Sequence, residues 1–223
     1  MVIQGRAAQT RASLLRSAAG QFAKYGYYGA CTNTISRYAG VSSGALTFHF
    51  PSKAKLALSI QTIATELAEA EAERFAGEPE DPLAAATELV CRLTRLVQHN
   101  AAVRAAIRLT GEGTTTAAGW HEAWLPTMRA LLEQAAAQGR LTCDAETALH
   151  ITERLIAGAA LALSEDDGDG DGADGAHRAG GSGETPGHPE PPERSGSPEA
   201  VADPVWQIVL AGLRADPTPP REQ

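Results

Sequence analysis

The stretch from Thr34 to Phe50, TISRYAGVSSGALTFHF, leaves the chain few folding options. Two short segments, Thr34 to Ala39 and Ser43 to Phe48, have helical character and flank Gly40-Val41-Ser42. Gly40 can take the positive φ that ends a helix and turns the chain. The Ser42 hydroxyl can cap the next helix by accepting a backbone N–H bond. Ile35, Ala39, Val41, Ala45 and Leu46 fall where two such helices pack on each other, leaving Arg37, Ser43 and His49 outward. The pattern predicts a helix-turn-helix whose second helix is sized for a DNA major groove. Spacing alone does not separate it from any two short helices joined by a glycine turn.

Charge distribution separates them. The whole chain carries a net charge of -8, yet Arg6, Arg11, Arg16, Lys24, Arg37, Lys53 and Lys55 are met by no Asp or Glu before Glu66. All 27 acidic residues lie in the remainder. A basic head on an acidic body is the asymmetry expected when one end meets phosphates.

The residues around the motif read as helices. Leu14, Leu15, Ala18, Ala19 and Phe22 draw one apolar stripe, predicting a helix from about Thr10 to Tyr25 after a short basic arm, with Gly26 as its stop. Pro51 closes the second motif helix, and Ser52 can cap a long helix from Lys53 to about Phe75 with Leu56, Ile60, Ile63 and Leu67 inward. Further helices are predicted over Pro82 to about His99, Ala101 to Leu109, Trp120 to about Gln138 with Pro126 near its start, and Asp144 to Leu163. Ser164 to Pro204, rich in Asp, Gly, Ser, Pro and Glu, has too little apolar surface to bury and is expected to be a disordered insertion at about 164–203. Val201 to Leu213 forms a last apolar helix. The fold class is therefore all-α: a helix-turn-helix three-helix domain over 1–51, then a helical ligand-binding and dimerisation domain over 52–223.

From Arg6 to Leu58 the chain resembles the DNA-binding domain of the tetracycline-repressor-like (TetR) regulators. The resemblance rests on Phe22-Ala23-Lys24-Tyr25-Gly26-Tyr27, Ile35, Ala39-Gly40-Val41-Ser42, Gly44-Ala45-Leu46, Phe48-His49-Phe50 and Ser52-Lys53. Val103 to Leu109, Trp124 and Val205 to Val209 resemble the γ-butyrolactone receptor branch of that family more loosely. The resemblance implies a homodimeric repressor that binds a palindromic double-stranded DNA operator and is released by a small hydrophobic signalling molecule. It also implies a four-helix dimer interface built from the helix ending near Leu163 and the last helix.

On this reading Tyr38, Ser43, Thr47 and His49 touch the duplex, and Arg37, Lys53 and Lys55 steady it through phosphates. Arg11, Thr34 and Ser42 complete the expected interface. Family members usually carry Lys at the position of Ser43 and Tyr at that of Thr47; short hydroxyls here imply weaker or altered DNA binding. Trp120, His121 and Trp124 form an aromatic surface suited to a neutral lactone or furan. Trp124 matches the branch's ligand-contacting position, whereas Trp120 reads first as core. Periodicity adds Leu89, Leu93, Val103, Ile107, Thr110, Met128 and Leu132 as the remaining wall.

Other classes find little support. No nucleophile elbow, paired metal-ligand spacing or nucleotide loop is legible, so neither catalysis, a metal nor a cofactor is expected. The Asp-Gly run is too irregular for a calcium loop. Cys31, Cys91 and Cys143 are widely spaced and suit a reducing cytoplasm, and no apolar run spans a bilayer. A pseudo-receptor or ligand-binding protein with weakened DNA recognition and a helical enzyme are the alternatives.

Overall fold

The computed structural model describes residues 2–114, 119–166, 209 and 211–214. Eight α-helices follow one another among them: α1 (Val2–Gly29), α2 (Thr32–Tyr38), α3 (Ser43–His49), α4 (Lys53–Ala72), α5 (Pro82–His99), α6 (Ala101–Gly111), α7 (Trp120–Ala137) and α8 (Ala145–Asp166). The chain is all-α, an N-terminal helix-turn-helix leading into a helical body. No described helix is long and apolar enough to cross a membrane.

The expected turn chemistry is present. Gly40 has φ 70°. Ser42 caps α3 by accepting the Ala45 N–H at 3.2 Å, and Ser52 caps α4 by accepting the Lys55 N–H at 3.2 Å. Three boundaries differ from expectation. Helix α1 starts at Val2 rather than Thr10, because Gln4 to Gln9 is dominated by Arg, Ala and Gln, which favour helix without any apolar stripe. The body helix after Ala72 tightens into a 3-10 turn over Glu73–Phe75. Helix α8 runs to Asp166, so Ser164 to Asp166 of the expected insertion are helical. The rest of the insertion and most of the predicted 201–213 helix lie outside the described residues; Val209 and Ala211 to Leu213 are helical. Pro126 is the seventh residue of α7 rather than a first-turn residue. Having no N–H, it denies the Glu122 carbonyl the usual helical bond, and both residues are exposed.

Two hydrophobic clusters divide the buried residues. Leu14, Ala18, Phe22, Ile35, Leu46 and Phe50 from α1 to the end of α3 close on Leu56, Ala57 and Ile60 of α4. The second cluster joins Ala64, Ala68 and Ala72 of α4 to Leu89 and Leu93 of α5, Trp124, Met128 and Leu132 of α7, and Leu149 and Ile156 of α8. In the second half of α4, Ala64, Ala68 and Ala72 are buried and Ile63 and Leu67 only half so, since small side chains let α7 approach closely. Helix α6 serves both clusters. Ala102, Ala105 and Leu109 enter the first, and Val103 and Ala106 the second. The segment at Leu213 is pinned to the body by the burial of that side chain and by the Thr142 N–H bonded to the Leu213 carbonyl at 3.0 Å.

Asp81 fastens the entry to α5. Its carboxylate accepts the Ala84 N–H at 2.9 Å and pairs with Arg140 just beyond α7. The Arg140 guanidinium first, and the Ala84 N–H second, hold its carboxyl below the ordinary range. A lowered folded-state pKa contributes stability above the unfolded pKa and loses it as pH falls through the folded value. Both side chains are half exposed, so Asp81→Ala is expected to cost only about 1 kcal/mol at neutral pH. The gap between wild type and variant in urea melts should close as pH drops below about 3.9.

Candidate functional site

The face left open by α2 and α3 carries most of the expected DNA contacts. Arg37, Tyr38, Ser42, Ser43 and Thr47 are exposed, and Thr34 and His49 are half-buried. The Tyr38 ring is 64% exposed and lies under the Arg37 guanidinium at 5.6 Å. Two of the three hydroxyl protons are already committed within the protein. Ser43 Oγ donates to Asn33 Oδ1 at 3.3 Å, and Thr47 Oγ1 donates to the Ser43 carbonyl at 3.0 Å. The Ser42 oxygen serves the α3 cap. Ser43 and Thr47 therefore remain available mainly as acceptors, which a phosphate cannot use, whereas Ser42 keeps its proton free to donate. Phe48 was outside the expected set, yet it is 82% exposed and stands edge-on to His49 at 5.3 Å. An apolar residue on the outward side of a seven-residue helix breaks the polar pattern, and that was its signal.

The basic residues flank this face from separate elements. Lys53 Nζ lies over the Tyr27 ring at 4.8 Å, Lys55 is exposed in the first turn of α4, and the Arg11 guanidinium sits over Phe50 at 5.3 Å. Helix α1 supports the unit from behind, with Ser17 Oγ donating to the Ile35 carbonyl at 2.9 Å.

In the body a small cleft of about 110 Å³ opens between α6, α7 and α8, lined by Ile107, Thr110, Trp120, His121, Trp124, Glu153, Ile156 and Ala157. It brings together Trp120, Trp124, Ile107 and Thr110 from the expected ligand wall. Leu89, Leu93, Val103, Met128 and Leu132 lie instead in the packed second cluster. Helical periodicity marks every inward residue alike and does not tell a packed interior from a cleft wall. Glu153, Ile156 and Ala157 come from α8 and had no signal in the sequence beyond helical spacing. Trp120 and Trp124 meet edge to face at 5.8 Å, and His121 packs against Trp124 at 5.1 Å. His121 Nε2 is 2.8 Å from Glu153 Oε1, a polar pair set in an otherwise apolar wall.

Three buried polar atoms near this cleft have no hydrogen-bond partner among the described residues: Nε1 of Trp120, Nε1 of Trp124 and Oε1 of Gln61. Gln61, on α4, reaches the cleft residue Thr110 through its Nε2, 3.5 Å from Thr110 Oγ1. An unpartnered buried group costs about 1–3 kcal/mol, so each of these atoms calls for a partner such as a water or a ligand atom. Among the described residues no group of three His, Cys, Asp or Glu side chains is placed to hold a metal ion.

Residues 14–60 match the sequence profile of the bacterial regulatory proteins of the tetR family. Over 68% of its length the chain matches 76% of a solved TetR-family protein, CprB from Streptomyces coelicolor in complex with its biological operator sequence, at 30% identity and a TM-score of 0.58. The chain is a member of the TetR family. Within it the chain is similar to γ-butyrolactone receptors. One solved receptor, described as ArpA-like, is 27% identical, with 70% of this chain and 82% of that one covered and a TM-score of 0.61. The A-factor receptor protein of Streptomyces griseus is 37% identical over 113 residues, 51% of this chain. The matched stretch spans 39% of that relative's length.

Proposed function

We propose that this TetR-family chain is a ligand-responsive transcriptional repressor that binds a palindromic operator as a homodimer and is released by a small γ-butyrolactone-like molecule. Residues 1–51 form the DNA-binding head, and 52–223 the ligand-binding and dimerising body. The observation that carries the reading is the exposed face of α2 and α3: a capped, rigidly backed helix-turn-helix on a segment without a single acidic residue before Glu66. The relative solved with its operator supports the DNA partner, and the relatives named as γ-butyrolactone receptors support the ligand class.

In this reading Arg37, Lys53 and Lys55 hold phosphates, while Tyr38, Phe48 and His49 meet the groove. Two recognition helices must stand about 34–36 Å apart to enter successive major grooves. An occupant of the Trp120–Trp124 cleft that binds a spread conformer better shifts the dimer away from that spacing, and only its differential affinity can drive the shift. Neutral ligands with carbonyl or ether oxygens suit the two unpartnered indole N–H groups.

Fluorescence-anisotropy titration of the purified chain against DNA from upstream of its own gene, repeated across salt, tests the reading. Specific binding that weakens steeply with salt is expected, and no specific shift at low salt rejects a repressor. The internal commitment of the Ser43 and Thr47 hydroxyls favours a second reading, a ligand-binding protein with weakened DNA recognition. Ser43→Lys separates the two. If the loss of a phosphate-binding ammonium limits affinity, the variant should bind about fivefold to tenfold more tightly at low salt, with the slope of log Kd against log salt steeper by about 1 to 2. An unchanged slope would mean that position 43 does not face a phosphate.

A further inference from the structure

Helix α1 is broken near its end. At Gly26 the backbone takes φ 68° and ψ -172°, so the Ala23 carbonyl and the Tyr27 N–H, which an unbroken helix would pair with each other, are parted. Both find partners at the C-terminal end of α6, in its last turn and at the residue that caps it. Arg108 Nη1 donates to the Ala23 carbonyl at 3.3 Å and to the Lys24 carbonyl at 3.0 Å, while Glu112 Oε2 accepts the Tyr27 N–H at 2.7 Å. The two side chains also pair with each other, Nε to Oε1 at 3.4 Å. One ion pair from the body therefore supplies both halves of a backbone bond that the head lacks.

The same short helix forms part of the cleft. Ile107 and Thr110 line it, and they alternate along α6 with Arg108 and Glu112. Beyond the break, Tyr27 stacks on Phe22 with centroids 6.3 Å apart, and its ring lies under Lys53 Nζ. A continuous set of contacts thus runs from the cleft through α6 to Glu112, Tyr27 and Lys53, at the foot of the recognition unit.

We infer that the Arg108–Glu112 pair is a latch between body and head, closed when the cleft is empty and opened when an occupant displaces Ile107 and Thr110. The inference rests on the repressor reading for its purpose but not for its test. A shift of about 1 Å in α6 takes a 2.7 Å charge-assisted bond beyond effective hydrogen-bonding range, so a small displacement suffices. Opening leaves the Tyr27 N–H and the Ala23 carbonyl without these partners, frees Tyr27, and takes away the platform under Lys53. A phosphate contact is then lost with no change in the groove-facing residues themselves.

Amide exchange at Tyr27 tests the latch without DNA or the natural ligand. Cys31, Cys91 and Cys143 are replaced by alanine. The exposed cleft residue Ala157 is changed to cysteine and modified with benzyl methanethiosulfonate, filling the cleft covalently. Modification is expected to speed Tyr27 exchange at least tenfold. With Glu112→Ala the amide should already exchange fast, and modification should add less than a factor of two. Glu112→Gln, which keeps a neutral acceptor, should fall between them, a gradation that a fold defect would not produce. Arg108→Lys, which keeps the charge but cannot span both carbonyls, serves if the Glu112→Ala chain fails to fold. It should likewise show fast exchange before modification. Tyr27 exchange that ignores modification while Glu112 is intact overturns the latch. Failure of the unmodified wild type to bind any promoter fragment would overturn the repressor reading instead and leave the exchange result standing.

Discussion

Gly26→Ala is expected to lower stability by about 2–4 kcal/mol, more than any other glycine substitution in the described part of the chain. Two costs combine. At φ 68° and ψ -172° Gly26 occupies a region that only glycine enters freely. A Cβ built there would also stand 1.8 Å from Glu112 Oε1 and 3.0 Å from Arg108 Nε. The carboxylate would have to leave, and the Tyr27 N–H would lose its acceptor. Gly139→Ala is the control. Gly139 has φ 67° at the end of α7, but an added Cβ meets nothing within 4 Å, so only the conformational cost of about 1 kcal/mol applies. Urea unfolding of the two variants side by side measures the difference. Equal losses would mean that Glu112 yields without penalty.

Trp124→Ala should destabilise the chain by about 3–5 kcal/mol, because a fully enclosed indole is removed from between α6, α7 and α8. The residue is 1% exposed and contacts both Trp120 and His121. Trp124→Phe should behave differently. It removes a buried N–H that has no partner, which offsets part of the lost volume, so a stability cost of about 1 kcal/mol is expected. If the cleft holds a ligand through that N–H, the phenylalanine variant should melt almost like wild type yet bind an acyl-γ-butyrolactone at least tenfold more weakly. Isothermal titration calorimetry beside thermal melts separates the two effects. Unchanged affinity in Trp124→Phe would leave the indole as packing alone.

The head was the more legible part of the molecule. Gly40, Ser42 and Ser52 act through their own backbones within three residues, so their geometry could be read where they stood. The apolar stripe Leu14, Ala18 and Phe22 likewise needed only helical spacing to be recognised as core. The interface residues were less readable. Ser43 and Thr47 had the chemistry of DNA contacts, but Asn33 from α2 and the Ser43 carbonyl engage their protons. Phe48 broke the polar pattern of the outward side of α3, but only the packing showed it to be exposed. In the body, Leu89, Leu93, Val103, Met128 and Leu132 have the same inward signature as Ile107. The crossing of α6, α7 and α8 alone puts Ile107 beside a cleft and the other five in solid packing.

Local chemistry, then, was enough to set the all-helical class, the capped turn between α2 and α3, and the separation of a basic head from an acidic body. Each depends on neighbours in the chain or on a simple charge count. Three features belong to the tertiary structure alone: the pairing of His121 with Glu153, the cleft built on residues from three helices, and the seizure of the broken end of α1 by Arg108 and Glu112. The groups in that last contact lie more than eighty positions apart, and no periodicity relates them. Only the folding of α6 against both clusters at once brings a carboxylate to the one backbone N–H that a glycine had left free.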